Sequence, residues 1–188
     1  MNPLIIVAHP DNDGSHNRYM FEKAKEDVAH TDYKVIDLYN ESFNPVLFQG
    51  EPEQKERYQN LLAWSTHIYV IYPIWWNGQP GILKGFFDKV IEPGFAFKFD
   101  QTFIPKVGWP RGFLAGRRAA VLTTTGSPKL MHYIYQARRG IKLTTKDTLG
   151  FAGVTTKSFH VGGAQKLTEN NKRRLDRAVA KATNWLFS

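Results

Sequence analysis

A short aromatic segment between an apolar stretch and a helical pattern carries the most distinctive chemistry of this sequence. Residues 73–90, PIWWNGQPGILKGFFDKV, place two adjacent indoles, Trp75 and Trp76, in a turn shaped by Gly and Pro. Residues 68–72 precede the turn as a predicted strand, and a helix is predicted from Gly81. Indole rings can cover a flat heteroaromatic ligand, and a tightly turned backbone can reach its edge. The segment therefore predicts a site for a flat heteroaromatic cofactor.

A second candidate site lies in the turn after the first predicted strand, HPDNDGSHNRYM, residues 9–20. A Gly-Ser pair that opens a helix offers backbone N–H groups and a hydroxyl, and the helix dipole favours negative charge there. Ser15 and Asn17 can bind a phosphate, and Arg18 adds positive charge. Plain helix capping explains the same residues, because Ser, Asn and Asp are favoured caps. From this turn alone, both interpretations stay open.

The third candidate site is residues 122–128, LTTTGSP, at the end of a later predicted strand. Thr124 and Thr125 offer hydroxyl donors, and Gly126 lets the chain pass close to a ring edge. Such donors would stabilise the negative charge that develops at a flavin's pyrimidine end on reduction. A strand of threonines followed by a Gly turn is a common structural alternative.

Alternating strands and helices predict the α/β fold that would position these segments. The predicted strands are residues 4–8, 33–38, 68–72, 118–124 and 156–161, and the predicted helices are 15–29, 51–64, 81–90 and 168–186. This alternation predicts a doubly wound five-stranded parallel sheet, order 2-1-3-4-5, with helices on both faces. The carboxyl ends of strands one, three and four are neighbours in that topology. We therefore expect the three segments to form one site.

Composition limits the possible chemistry. The 188 residues are 42% hydrophobic, which predicts a single domain over residues 1–188. The absence of cysteine excludes thiolate catalysis, so redox chemistry requires a bound cofactor. No apolar run approaches the roughly 18 residues that span a bilayer, and the amino terminus lacks a signal-peptide pattern. We expect a cytoplasmic protein without membrane insertion.

The net charge of +8 favours an anionic ligand over nucleic acid, because the basic residues are dispersed and no nucleic-acid-binding motif accompanies them. The sequence lacks G-x-G-x-x-G and the P-loop pattern, which argues against a Rossmann dinucleotide site or a nucleoside triphosphate site. No second histidine or carboxylate lies at ligand spacing from His67 or His160, so no metal site is expected.

Two long connections, residues 93–117 and 127–150, are rich in aromatic residues. Long connections within a domain are usually functional. Their aromatic side chains can contact a substrate, pack their own loops, or pack a subunit interface.

The sequence resembles the flavodoxin-like NAD(P)H:quinone oxidoreductases in their short bacterial form, over nearly the whole chain. The matching segments occur in the family's order: LIIVAHP, Ser15-His16-Asn17, residues 73–90, PGFAFKF and TTTGSP. The most specific element is the PxxW…PxxLKxxxDKV pattern.

The resemblance implies a tightly bound FAD or FMN. His9, Ser15, His16 and Asn17 would surround its phosphate. Pro73, Ile74, Trp75, Trp76 and Asn77 would line the isoalloxazine ring, and Thr124, Thr125, Gly126 and Ser127 would contact it from another loop.

The resemblance also implies a ping-pong reaction, in which NAD(P)H is the co-substrate and a quinone-like small molecule accepts two electrons. It further implies a homodimer with the site at the interface. Tyr133 matches a tyrosine that relays charge in larger family members, whereas the histidine of that relay has no secure match here.

Two alternative functions use the same fold. The first is azo or nitro reduction, although azoreductases tend to carry Tyr-Asn-Phe where this chain has Trp75-Trp76-Asn77. The second is a flavin-bearing regulatory subunit of a bacterial potassium efflux system.

Overall fold

Parallel strands form the central sheet of the molecule. The structure is a computed structural model that describes residues 1–10, 14–47, 52–101, 108–128, 130–131 and 138–188. The sheet strands are Pro3–Val7 (β1), Lys34–Asp37 (β2), His67–Pro73 (β3), Arg118–Thr124 (β6) and Thr155–Val161 (β7). They are hydrogen-bonded in the order β2-β1-β3-β6-β7, which is 2-1-3-4-5 when only the strands of this sheet are counted. The predicted doubly wound fold is therefore confirmed.

Helices cover both faces of this sheet. They are His16–Val28 (α1), Pro52–Trp64 (α2), Gly81–Val90 (α3), Arg139–Lys142 (α4) and Glu169–Leu186 (α5), and a π-helix, Leu143–Gly150, directly continues α4. Side chains of a strand alternate between the faces. In β1, Leu4 and Ile6 therefore pack with α2, α3 and the π-helix, while Ile5 and Val7 pack with α1 and α5.

Apolar spacing explains the two helices on the second face. In α1, Met20, Ala24 and Val28 are buried four residues apart. The closing helix α5 repeats the pattern with Leu175, Val179, Ala182 and Leu186. This period places one stripe of each helix against the sheet. None of the helices that the structure describes is long and apolar enough to cross a membrane.

Regular structure within the two long connections was not predicted. The first contains an antiparallel hairpin of Phe97–Gln101 (β4) and Gly108–Gly112 (β5), and the second contains α4 and the π-helix. The β5 sequence, GWPRG, contains Gly and Pro and lacks an apolar alternation, so its pattern does not predict a strand. The π-helix contains three threonines, whose branching lowers helix propensity. Tyr133 lies outside the described residues.

Candidate functional site

The loops after β1, β3, β6 and β7 enclose a cavity of about 280 Å³ at the carboxyl edge of the sheet. Its lining includes ten of the predicted site residues: His9, Ser15, His16, Asn17, Pro73, Ile74, Trp75, Thr124, Thr125 and Gly126. Trp76, Asn77 and Ser127 are not part of the lining. The three predicted segments thus converge as the strand order requires.

Ser15 begins the part of the cavity that we call the phosphate turn, residues 14–17. Its Oγ caps α1 by accepting a hydrogen bond from the Arg18 backbone N–H, at 2.9 Å. Because Oγ is the acceptor in that bond, its own proton remains for a ligand. Within the described part of the chain, no acceptor meets the backbone N–H of His16 or Asn17. Donors of this kind at a helix N-terminus can bind an anion.

The side chains of His16 and Arg18 make contacts that were not predicted from the sequence. The His16 ring donates through Nε2 to the Lys166 carbonyl, at 3.0 Å, so its contribution to an anion site comes from its backbone. The Arg18 guanidinium contacts Asp37 at 2.9 Å and Glu22 at 3.1 Å. Two carboxylates therefore balance the positive charge that the sequence suggested for this turn. The cavity lining itself contains no carboxylate among the residues that the structure describes.

Asn17 joins the phosphate turn to the end of β6. Its Nδ2 donates to Thr124 Oγ1 at 3.0 Å, and its Oδ1 is buried without a hydrogen-bond partner. The Thr124 hydroxyl can either accept or donate. Either orientation of the amide therefore leaves one buried polar atom of Asn17 for a ligand. Buried polar atoms are rarely unpaired in folded proteins.

Trp75 begins the aromatic turn, residues 75–78, which follows β3 and contributes Trp75 to the cavity lining. The backbone N–H and carbonyl groups of Trp75 and Gly78 bond reciprocally, at 3.0 and 2.9 Å. The two residues between them, Trp76 and Asn77, have φ of 48° and 65°, which is typical of a type I′ turn. Trp75 packs against His9, with ring centroids 5.9 Å apart. Trp76 projects outward and is fully exposed.

A glycine on α4 allows the helix to support this turn. A Cβ atom at Gly140 would lie 2.9 Å from the Asn77 carbonyl oxygen and 3.2 Å from the Gly78 carbonyl carbon. Such distances are too short for any side chain, so the close approach of the two backbones requires glycine.

The loop between β7 and α5 forms a wall that the sequence prediction missed. Ala164 N–H donates to the Thr125 carbonyl at 2.9 Å, and Gly163 N–H donates to the Ser127 carbonyl at 2.7 Å. The Gln165 side chain bonds the Gly126 carbonyl at 3.3 Å. The strand order could have predicted this wall, because β7 also ends at the carboxyl edge of the sheet.

The Thr125 hydroxyl stabilises the turn after β6. It donates to the Ser127 carbonyl at 2.9 Å, and His160 Nε2 lies 3.3 Å from Thr125 Oγ1. The Thr125 proton is therefore already used within the chain, so Thr124 is the better donor to a ligand. The described residues contain no group of three His, Asp or Glu side chains that could hold a metal ion.

The family model that matches this chain is described as a flavodoxin-like fold, and it matches residues 1–186. The chain belongs to this family, which confirms the predicted relationship. A Haemophilus influenzae protein named uncharacterized NAD(P)H oxidoreductase is 32% identical over 138 residues, 68% of this chain and 65% of that protein. The FMN-dependent NADH:quinone oxidoreductase of Azotobacter vinelandii is 30% identical over 189 residues, 93% of this chain and 82% of that protein.

Among solved structures, Smu.1420 from Streptococcus mutans is similar with a TM-score of 0.81 and 30% identity, covering 97% of this chain and 98% of that chain. The alignments with curated relatives are shorter. The chain spans 65%, 55% and 65% of the length of three of them, from Haemophilus influenzae, rat and Penicillium crustosum.

Proposed function

We propose that this protein is a flavin-dependent oxidoreductase that passes two electrons from NAD(P)H, through bound FMN or FAD, to quinones or similar aromatic electrophiles. The observation that carries the proposal is the cavity itself. It brings an anion-binding helix terminus and an aromatic turn together at the carboxyl edge of the sheet. Two relatives are named NAD(P)H oxidoreductase and FMN-dependent NADH:quinone oxidoreductase, and these names support the same reaction class.

The residues of the cavity fit a flavin phosphate and its polyol chain. The phosphate turn supplies the Ser15 hydroxyl and two backbone N–H groups, and Asn17 keeps one buried polar atom unpaired. The lining residues that the structure describes include no carboxylate that would repel the phosphate. The volume of about 280 Å³ is slightly below the range of roughly 300–1,000 Å³ that is usual for ligand sites. We therefore place the ring system toward the open side, along Trp75.

The binding residues have separate roles in this proposal. Ser15 and the amides of the phosphate turn bind the phosphate, while Thr124 donates toward the ring edge. Trp75, which is 43% exposed, covers part of the ring, and Trp76 would cover its outer part. A bound flavin supplies the capacity to accept two electrons and release them to a second substrate in a ping-pong cycle. The protein orients the flavin and excludes water.

The proposal includes a homodimer with the site at its interface. Besides Trp76, the structure exposes Phe99 on β4, Phe113 directly after β5, and Leu130 and Met131 after β6. Exposed large apolar side chains often mark an interaction surface. A second protomer would cover the open side of the cavity.

A steady-state assay with the flavin-loaded protein tests this function. We expect turnover with NADH or NADPH and a benzoquinone, and slower turnover with an azo dye or a nitroaromatic. If the azo dye or the nitroaromatic were reduced faster than the benzoquinone, azo or nitro reduction would be the assigned activity instead of quinone reduction. Bound flavin without turnover on any of these acceptors would contradict the enzymatic proposal and favour a regulatory flavoprotein.

A further inference from the structure

Three buried polar side chains join both ends of the aromatic turn to the π-helix. Tyr72 Oη lies 2.9 Å from the Gly140 carbonyl oxygen and 2.7 Å from Thr144 Oγ1. Thr144 Oγ1 also lies 2.7 Å from the side-chain amide of Gln79. Tyr72 and Thr144 are fully buried, and Gln79 is 8% exposed. Bulk water therefore does not take part in these bonds.

The number of available protons determines how these groups can bond. Tyr72 and Thr144 each carry one hydroxyl proton, so together they supply two of the three contacts. Burial raises the pKa of Tyr72 far above its ordinary value, so the phenol keeps its proton. With Gln79 Oε1 facing Thr144, one contact has no proton, and the buried Nε2 has no partner.

A rotation of the Gln79 amide by 180° resolves both problems. It turns Nε2 toward Thr144 and supplies the missing proton, while the two amide positions are nearly interchangeable in shape. The 2.7 Å separation is within the range of an N–H···O bond. The atom left unpaired is then a carbonyl oxygen, which proteins tolerate better than an unpaired N–H group.

We propose that the hydrogen bonds run in one direction and that Thr144 is a positioning residue for the aromatic turn. Gln79 Nε2 donates to Thr144 Oγ1. Thr144 then donates to Tyr72 Oη, and Tyr72 donates to the Gly140 carbonyl. We call these three hydrogen bonds the relay. Because Tyr72 precedes the aromatic turn and Gln79 follows it, the relay fixes both ends of the turn to the continuous segment of α4 and the π-helix.

The aromatic turn has a strained backbone, and the relay holds that backbone in place. Trp76 and Asn77 have left-handed backbone conformations, which are unfavourable for a bulky residue and persist where the surrounding structure holds them. Without the relay, the turn can relax away from the cavity that Trp75 lines. The positioning role rests on the function proposed above, whereas the direction of the hydrogen bonds does not.

Nuclear magnetic resonance of the flavin-free protein tests the direction. We expect a nuclear Overhauser effect between a Gln79 Nε2 proton and Thr144 Hβ, and slow solvent exchange of that proton. Thr144→Val should remove the slow exchange. Thr145→Val is the matched control, because the Thr145 hydroxyl bonds the Ile141 carbonyl within its own helix. Rapid exchange in the unaltered protein, or equal effects of the two substitutions, would overturn the relay.

Equilibrium binding of FMN tests the positioning role. We expect Thr144→Val to raise the FMN dissociation constant about tenfold, comparable to the loss of one hydrogen bond, and to shift the flavin absorption band. Tyr72→Phe, which removes the final donor alone, should show a smaller change in the same direction and serves if Thr144→Val does not fold. Unchanged FMN affinity in both variants would overturn the role. If the unaltered protein does not bind FMN, the proposed function fails, while the resonance data still decide the relay.

Discussion

The phosphate turn and the aromatic turn both contribute to the lining of one cavity, but different contacts maintain their backbones. The helix start in the phosphate turn depends on a neighbour in sequence, since Ser15 caps the helix that begins at His16, although the His16 and Asn17 side chains also bond to Lys166 and Thr124, far along the chain. The aromatic turn is held by α4 and the π-helix, which follow it by more than sixty residues in the chain, as the separation of 65 between Gln79 and Thr144 shows. Its Gly140 contact and its buried relay are both long-range.

This difference predicts how each turn responds to substitution. Changes at Ser15 should affect ligand binding and leave folding intact, because a different capping residue can preserve the helix start. Changes at the supports of the aromatic turn should affect stability and ligand binding together. Four substitution experiments follow, from the largest expected effect to the smallest.

Ser15→Asp should abolish flavin binding. A carboxylate is a good helix cap, but like charges about 4 Å apart repel by about 4 kcal/mol at an effective dielectric constant of 20, which corresponds to a loss of more than about a hundredfold in affinity. Titration of the apo-protein with FMN and FAD measures the effect. Ser15→Asn is the control, since it caps the helix without the charge. Equal affinities of the Asp and Asn variants would exclude a phosphate at this turn.

Gly140→Ala should destabilise the protein by about 1–3 kcal/mol, as expected for an overpacked contact, because the new Cβ would lie 2.9 Å from the Asn77 carbonyl oxygen. It should also weaken flavin binding. Urea denaturation measures the free energy of unfolding. Gly81→Ala is the control, because a Cβ there meets no atom within 4 Å, and it should be neutral or slightly stabilising. A similar result for both glycines would show that α4 does not support the turn.

Trp75→Ala should weaken flavin binding about tenfold, within the range for losing one aromatic stacking contact. Trp75 lines the cavity and packs on His9. Fluorescence titration with FMN measures the change, and Trp64→Ala provides a tryptophan control on α2, away from this cavity. An unchanged dissociation constant for Trp75→Ala would place the ring elsewhere.

Trp76→Gly should raise the stability of the apo-protein above that of Trp76→Ala by up to about 1 kcal/mol, because glycine accepts a positive φ without strain. Both variants remove the exposed indole and should weaken flavin retention alike. Thermal unfolding of the two apo-variants gives the comparison. Equal stability would mean that the left-handed conformation at residue 76 carries no strain in solution.

The same contrast explains how much could be predicted from sequence. Strand alternation and helical spacing predicted the sheet order and most element bounds to within one residue, because these patterns are local. They also predicted the helix start at Ser15. The Arg18–Glu22 pair is an i, i+4 contact that the sequence could have predicted, whereas the pairing of Arg18 with Asp37 and the support from Gly140 depend on residues distant in the chain. No local pattern encodes these long-range contacts.

The loop between β7 and α5, which forms a wall of the cavity, was only partly predictable from sequence. Residues 163–167 have no distinctive motif, yet the position of β7 in the sheet brings the loop to the same edge. The strand order therefore contained this information, although the residue types did not. Strand β5 and the π-helix had neither signal, since their sequences lack a clear period. Strand β4, FKFDQ, does alternate apolar and polar residues over its first four positions.

The visible absorption spectrum of the purified protein, before and after anaerobic addition of NADH or NADPH, tests the central claim most directly. We predict flavin absorption bands that bleach when one of the nucleotides is added. A protein that remains colourless after reconstitution with FMN and with FAD would contradict the assignment of the cavity as a flavin site.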